Sequence, residues 1–197
     1  MPAPSIKLFL APPGVLAPPG WLPVEPGELT NLHFASGAVQ AAYIQDWPSL
    51  MPEKELVLLL QELKRVIQPG SWRDEDGGTH VFEGGIIRIA TPDVATATRA
   101  YAESDMGFFR LTLGAAGDRI GPGEGLALWL SRYAPVRAYD HGALMASLRR
   151  AGISATYRSA RHKSLLPWLR GTEFDGEGEH RLYFECWPES ENQKQVA

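Results

Sequence analysis

The stretch "PEKELVLLLQELKRVIQPG", residues 52 to 70, followed by the apolar run "GIIRIATP", residues 85 to 92, does most to limit what this chain can become. Leu56, Leu59, Leu60, Leu63, Val66 and Ile67 recur at the helical period, while Glu53, Lys54, Gln61, Glu62 and Lys64 fall largely off that face. Pro52 suits a first turn, Glu53 and Glu55 suit the positive helix end, Lys64 and Arg65 suit the negative one, and Pro69-Gly70 stops it. The apolar run then reads as a buried strand, and "DVATATRAYAE" opens a second helix with an acidic first residue. Strand, helix, strand, helix is the alternation of an α/β sheet, and "SIKLFLA" near the start adds another buried strand.

The remaining elements follow from the same patterns. "GWLPVEP" reads as a short strand ending at Glu25, and "AVQAAYI" (38 to 44) as a longer one. "MGFFRLTLGAAGDRIGPGEGLALWLSRY" reads as two short helical segments around a Gly-rich loop. "YDHGALMASLRRAG" is a helix with Asp140 as N-cap and Gly152 as stop. "ISATYR" and "RLYFECW" are strands with no crossover helix between them, so they are expected to pair antiparallel. Residues 71–84 read as a polar insertion loop and 188–197 as a disordered tail, leaving a single domain over 1–187.

A net charge of −4 gives no electrostatic footprint for nucleic acid. No stretch approaches the roughly 18 apolar residues of a membrane span, and the start lacks the pattern of a leader, so a cytoplasmic location is expected. The one cysteine, Cys186, stands in "LYFECW" as a buried strand thiol, and no Cys/His cluster has zinc spacing. "WRDEDGGTH" gathers Asp74, Glu75 and Asp76 but lacks the alternating ligands of a calcium loop, so no metal is expected. His33, His80, His141, His162 and His180 have no spacing that groups them and read as surface or satisfied interior residues. "SARHKSLLPWLR" joins Arg161, His162, Lys163 and Arg170 with Leu165, Leu166 and Trp168; it reads as a helix with one apolar face, or as a surface for a partner or an anionic sugar.

Three stretches together resemble one family. "LTNLHFASGAVQAAYIQDWPSLMPEKELVLLLQELKRVIQPG" with "GIIRIATPDV", then "YDHGALMASLRRAGI", then "LRGTEF" and "LYFEC", are similar to small class I S-adenosylmethionine-dependent methyltransferases of the type often found near surface-polysaccharide genes. The match covers roughly residues 6 to 187. It implies a Rossmann-like α/β sheet of seven strands, mostly parallel with the last strand antiparallel, flanked by helices. It also implies S-adenosylmethionine as cofactor.

In that family the first strand leads into a loop of the form L-x-L-G-C-G, followed by Gly-Trp and a strand ending in Asp. Here "LFLAPPGVLAPPGW" keeps the strand and Gly20-Trp21 but places Ala11, Pro12 and Pro13 where Gly-Cys-Gly is expected. Proline fixes φ, adds a ring and removes an N–H, so this loop is expected to be rigid and to fill part of the cofactor pocket. Gly14, one residue later, would supply the close approach if an insertion has moved the loop. Glu25 falls at the family's ribose-binding acid, or is a solvated turn carboxylate. Glu28 falls near the family's adenine-side Asp, or is an exposed loop charge. Gln45 and Asp46 close the strand after "AVQAAYI"; Asp46 and Trp47 are the first candidates to line a pocket, unless Asp46 caps the turn into Pro48. Pro48, Ser49 and Leu50 replace the family's Leu-Glu-His, and Gln40 a usual Asp. No catalytic residue is evident.

Three readings follow. The chain is a methyltransferase-like pseudoenzyme binding a protein partner or a different small molecule; or a divergent O-methyltransferase for a sugar or small metabolite; or an oligomeric module, a homo-oligomer using the apolar "FFRLTL" and "GLALWL" segments.

Overall fold

The computed structural model describes residues 5–25, 31–75, 79–175 and 180–189. Its main sheet takes the apolar runs as strands: β1 (Ile6–Leu10), β2 (Leu22–Pro23), β3 (Val39–Gln45), β6 (Ile86–Pro92), β7 (Ala155–Ser159) and β8 (Arg181–Trp187), in spatial order β2-β1-β3-β6-β8-β7. The pairs β1/β2, β1/β3 and β3/β6 are parallel, whereas β8 runs antiparallel to both β6 and β7. This is a mostly parallel Rossmann-like sheet with an antiparallel end. The paired "ISATYR" and "RLYFECW" strands form as their lack of a crossover requires.

Six α-helices accompany it among the described residues. They are α1 (Trp47–Leu50), α2 (Glu53–Val66), α3 (Val94–Ala102), α4 (Met106–Leu113), α5 (Pro122–Tyr133) and α6 (His141–Arg150). Asp93 caps α3 by accepting from the Ala95 N–H, and Asp140 caps α6 by accepting from the Ala143 N–H. The α2 stripe of Leu56, Leu59, Leu60, Leu63 and Val66 is wholly buried, each side chain stabilising the fold by roughly 1.5–3 kcal/mol.

The two sheet faces are covered differently. On one, α2 and α6 pack over Leu8, Leu10, Ala42, Ile44, Ile87, Ile89, Leu182, Phe184 and Cys186. The opposite face carries Phe9, Ala41, Tyr43, Ile86, Ala90, Tyr183 and Trp187, and is covered by Trp21, Phe82, Leu166, Leu169 and Phe174 from loops and a hairpin. A third cluster, Ala97, Ala100, Phe109, Leu113 and Trp129, joins α3, α4 and α5 to one another.

Three expectations change. Residues 71–84 are no loop: β4 (Ser71–Glu75) and β5 (Thr79–Glu83) form an antiparallel hairpin. Asp76-Gly77-Gly78, a hairpin-turn composition, is the one sequence signal for it. Phe82 ties the hairpin to the sheet edge-to-face with Trp187, ring centroids 4.8 Å apart. Gly84 makes the return possible, because at φ +102° a Cβ there would lie 2.2 Å from the Pro69 carbonyl oxygen.

"SARHKSLLPWLR" forms a turn with a bridge between Ala160 and Lys163 and a short 3₁₀ segment at Pro167–Leu169, with no α-helix. Arg88 holds that turn from below by side-chain bonds that a helix would displace. The main sheet has six strands among the described residues, not seven. Only 15 residues separate β2 from β3, and those described, 24–25 and 31–38, hold no helix or strand. Of the tail, Pro188 and Glu189 are described and pair with Gly70; 190–197 lie outside the described residues.

Candidate functional site

In open α/β sheets ligands bind outside the carboxyl ends of the parallel strands. Among the described residues, recesses on that edge include one beyond β1 and β2 and one beyond β6 and β7.

The first is built from the proline loop. Parallel strands are ordinarily joined by a crossover of about a dozen residues or more, most often a helix. The β1–β2 connection has 11 residues and no helix. It folds as two tight turns, Val15 N–H donating to the Pro12 carbonyl (3.2 Å) and Trp21 N–H to the Pro18 carbonyl (3.1 Å). Gly14 and Gly20 supply the positive φ each turn needs, +92° and +81°. Ala11, Pro12, Pro13, Gly14 and Glu25 meet around a cavity of about 100 Å³, with Phe9, Val15, Pro23 and Val24.

Sites for cofactor-sized ligands run to roughly 300–1,000 Å³, and the recess formed by the described residues is smaller than that range. Pro12 and Pro13 carry no N–H to offer a ligand, and Val15 N–H is spent within its own turn. Glu28 lies outside the described residues.

Gln45 and Asp46 stand apart from that cavity, at the end of β3. Asp46 adopts a left-handed conformation, φ 60°, and its side chain caps nothing. Its carboxylate instead pairs with Arg181 at the start of β8, accepting from both guanidinium nitrogens. Asp46 is therefore a strut across the carboxyl edge, neither a pocket wall of the first recess nor a turn cap. Trp47 is buried in the helix-covered core.

The second recess has a cavity of about 350 Å³ walled by Asp93, Arg158, Arg161, Lys163, Arg181 and Tyr183, with Ser159, Ala160 and Leu182. The turn that carries Ser159, Ala160 and Lys163 of this wall is bonded to a buried ion cluster on the sheet. Arg88 sits in mid-β6, level with Tyr43 on β3 and Glu185 on β8, and the side chains of Arg88, Asp175 and Glu185 are wholly buried. The guanidinium bonds Asp175 through Nη2 (2.6 Å) and Nε (3.2 Å) and Glu185 through Nη1 (2.8 Å).

It also donates to the carbonyls of Ala160 (3.0 Å) and Lys163 (3.1 Å) and to Ser159 Oγ (3.0 Å). Burial alone would push the Arg88 pKa down; the hydrogen bond and charge of Asp175, then Glu185, more than reverse this and raise it. Asp175 accepts from the His162 N–H (2.6 Å) and Glu185 from the Leu165 N–H (2.9 Å), so the whole turn is fastened to the sheet. Tyr43 donates its hydroxyl to the Phe174 carbonyl, and its pKa is raised by burial and then by the Asp175 charge.

His180, just before β8, lies against Phe108 and Tyr133, ring centroids 6.4 and 5.2 Å away, and its two ring nitrogens have no hydrogen-bond partner among the described residues. Burial, then the Arg181 charge, lower its pKa from 6.5. The unfolded chain therefore takes up the proton first as pH falls, and the stability conferred by neutral His180 is lost between pH 6.5 and its lower folded value. His180→Phe, which suits the aromatic surroundings, is expected to flatten that part of the acid limb. Urea midpoints measured at pH 7 and at about pH 5 for both proteins check this.

No protein-family model and no curated protein matches the chain. Among solved structures it resembles a SAM-dependent methyltransferase from Thermotoga maritima (13% identity, 86% of this chain and 63% of that one, TM-score 0.43). It also resembles one from Methanosarcina mazei (11%, 86% and 68%, 0.41). A third is geranyl diphosphate C-methyltransferase from Streptomyces coelicolor (10%, 84% and 51%, 0.38). The chain thus spans less than two-thirds of the Thermotoga and Streptomyces proteins.

Sequence reasoning singled out Arg161 and Lys163 but missed Arg158, Arg181, Tyr183 and the Arg88 cluster. A signal was available: Arg88 in "GIIRIATP" and Glu185 in "LYFECW" are lone charges inside apolar runs.

Proposed function

We propose that this chain is a methyltransferase-like binding protein that does not use S-adenosylmethionine, a pseudoenzyme on a Rossmann-like sheet. The observation that carries this reading is the β1–β2 connection. It has no helix, is stiffened by four prolines, and leaves a cavity of about 100 Å³ beside Glu25 where the resemblance puts the cofactor.

Calorimetric titration of the full chain with S-adenosylmethionine and S-adenosylhomocysteine is expected to give no saturable heat at millimolar ligand, for the natural chain and for Glu25→Ala alike. Micromolar binding that Glu25→Ala weakens would overturn the proposal and make the chain a divergent methyltransferase.

A further inference from the structure

We propose that the recess between β6, β7 and β8 binds a small molecule through a phosphomonoester group. This goes beyond the reading above and stands independently of it, since the two cavities have no lining residue in common.

Charge is the first argument. Four cations, Arg158, Arg161, Lys163 and Arg181, line the recess against Asp93 in the wall and Asp46 on Arg181; the adjoining buried Arg88, Asp175 and Glu185 together carry −1, which leaves one positive charge in excess. Asp93 is already engaged by the Ala95 N–H and the Thr96 hydroxyl. Arg158, Arg161 and Lys163 have no carboxylate partner among the described residues. The chain as a whole carries −4, so this positive density is local. It suits a compact anion better than a polyanion.

Unmet hydrogen-bonding capacity is the second. The Tyr183 hydroxyl, Arg161 Nε and Arg181 Nε are all buried without a partner, and Tyr183 is only 4% exposed. A buried donor left unpaired is costly, and all three belong to residues that line the recess, so a small shift of these side chains would let an oxygen-rich ligand there pair with them. Guanidinium forks match phosphate oxygens two at a time, and a phosphomonoester presents enough oxygens to engage several donors where a carboxylate presents two.

The third argument is preorganisation. Arg88 fixes the Ala160 and Lys163 carbonyls, and Asp175 fixes the His162 N–H, with His162 held at a left-handed φ of 53°. The backbone that carries Arg161 and Lys163 is thereby set before any ligand arrives, which reduces the ordering cost of binding. A cavity of about 350 Å³ leaves room beside a phosphate for the body of a sugar-sized molecule.

Calorimetry with ribose 5-phosphate, inorganic phosphate and ribose tests this. Saturable binding is expected for ribose 5-phosphate, weaker binding for inorganic phosphate, and none for ribose. Arg161→Gln should weaken ribose 5-phosphate about ten- to a hundredfold and Tyr183→Phe about three- to tenfold, each with an unchanged circular dichroism spectrum. Arg149→Gln, on the exposed end of α6, should leave it unchanged. No heat from either phosphate probe at millimolar concentration overturns the proposal. So does equal weakening by Arg149→Gln and Arg161→Gln, which would mark diffuse charge attraction.

Discussion

Arg88→Met is expected to destabilise the chain by about 3–5 kcal/mol, because it removes one partner from a buried ion cluster and leaves two carboxylates uncompensated. Asp175 and Glu185 are wholly buried, so neither can recover in water what it loses from the guanidinium. The loss does not stop at charge. Arg88 is also donor to the Ala160 and Lys163 carbonyls and to Ser159, so the turn that walls the cationic recess loses its anchor. Urea unfolding should show the lowered midpoint, and hydrogen exchange should show residues 160–165 opening first. The combined variant Arg88→Met/Asp175→Asn/Glu185→Gln should recover part of the loss, since the penalty then falls on no unpaired charge. A fall of less than about 1 kcal/mol for Arg88→Met would mean that the cluster is hydrated and the turn independently held.

Trp129→Ala has an expected cost of similar size, about 3–5 kcal/mol, through the cavity left by the largest fully buried side chain. Its consequences should be local. Trp129 belongs to the cluster that joins α3, α4 and α5, whereas α2 and α6 pack on the sheet through a separate one. The third cluster is tightly assembled: a Cβ on Gly125 would come 2.7 Å from the Phe109 ring, so the helices cannot close over the vacancy without moving that ring. Amide exchange should therefore rise across 94–133 while β1, β3, β6 and β8 stay protected. Uniform loss of protection would show instead that the three helices and the sheet unfold as one unit.

The contrast between these two sites explains what could be read in advance. The α2 stripe, the caps at Asp93 and Asp140, and the antiparallel pairing of β7 with β8 depend on local periodicity and chain direction, and each is visible in a short window. The hairpin strands Ser71–Glu75 and Thr79–Glu83 are equally local, but their polar composition lacks the alternation that marks a strand.

The ion cluster is of another kind: Arg88, Asp175 and Glu185 are far apart in sequence, and only the register that sets Arg88 level with Glu185 brings them together. The cationic recess depends in turn on that cluster. Arg161 and Lys163 stood out as charges among apolar neighbours, yet their partnership with Arg181 and Tyr183 is a product of strand order. Asp46 shows the same limit. A carboxylate after a strand suggests a ligand or a cap, and its bond to Arg181 spans 135 positions of sequence.

The account rests on the loss of cofactor binding at the first strand's loop, and an amide-resolved NMR titration of the full chain with S-adenosylmethionine tests it most directly. The expected result is that the amides of Ala11, Gly14 and Glu25, and those of Gln45 and Asp46, do not shift at millimolar ligand. Saturable shifts gathered at those positions would show that the proline loop opens to admit the cofactor, and would contradict the account.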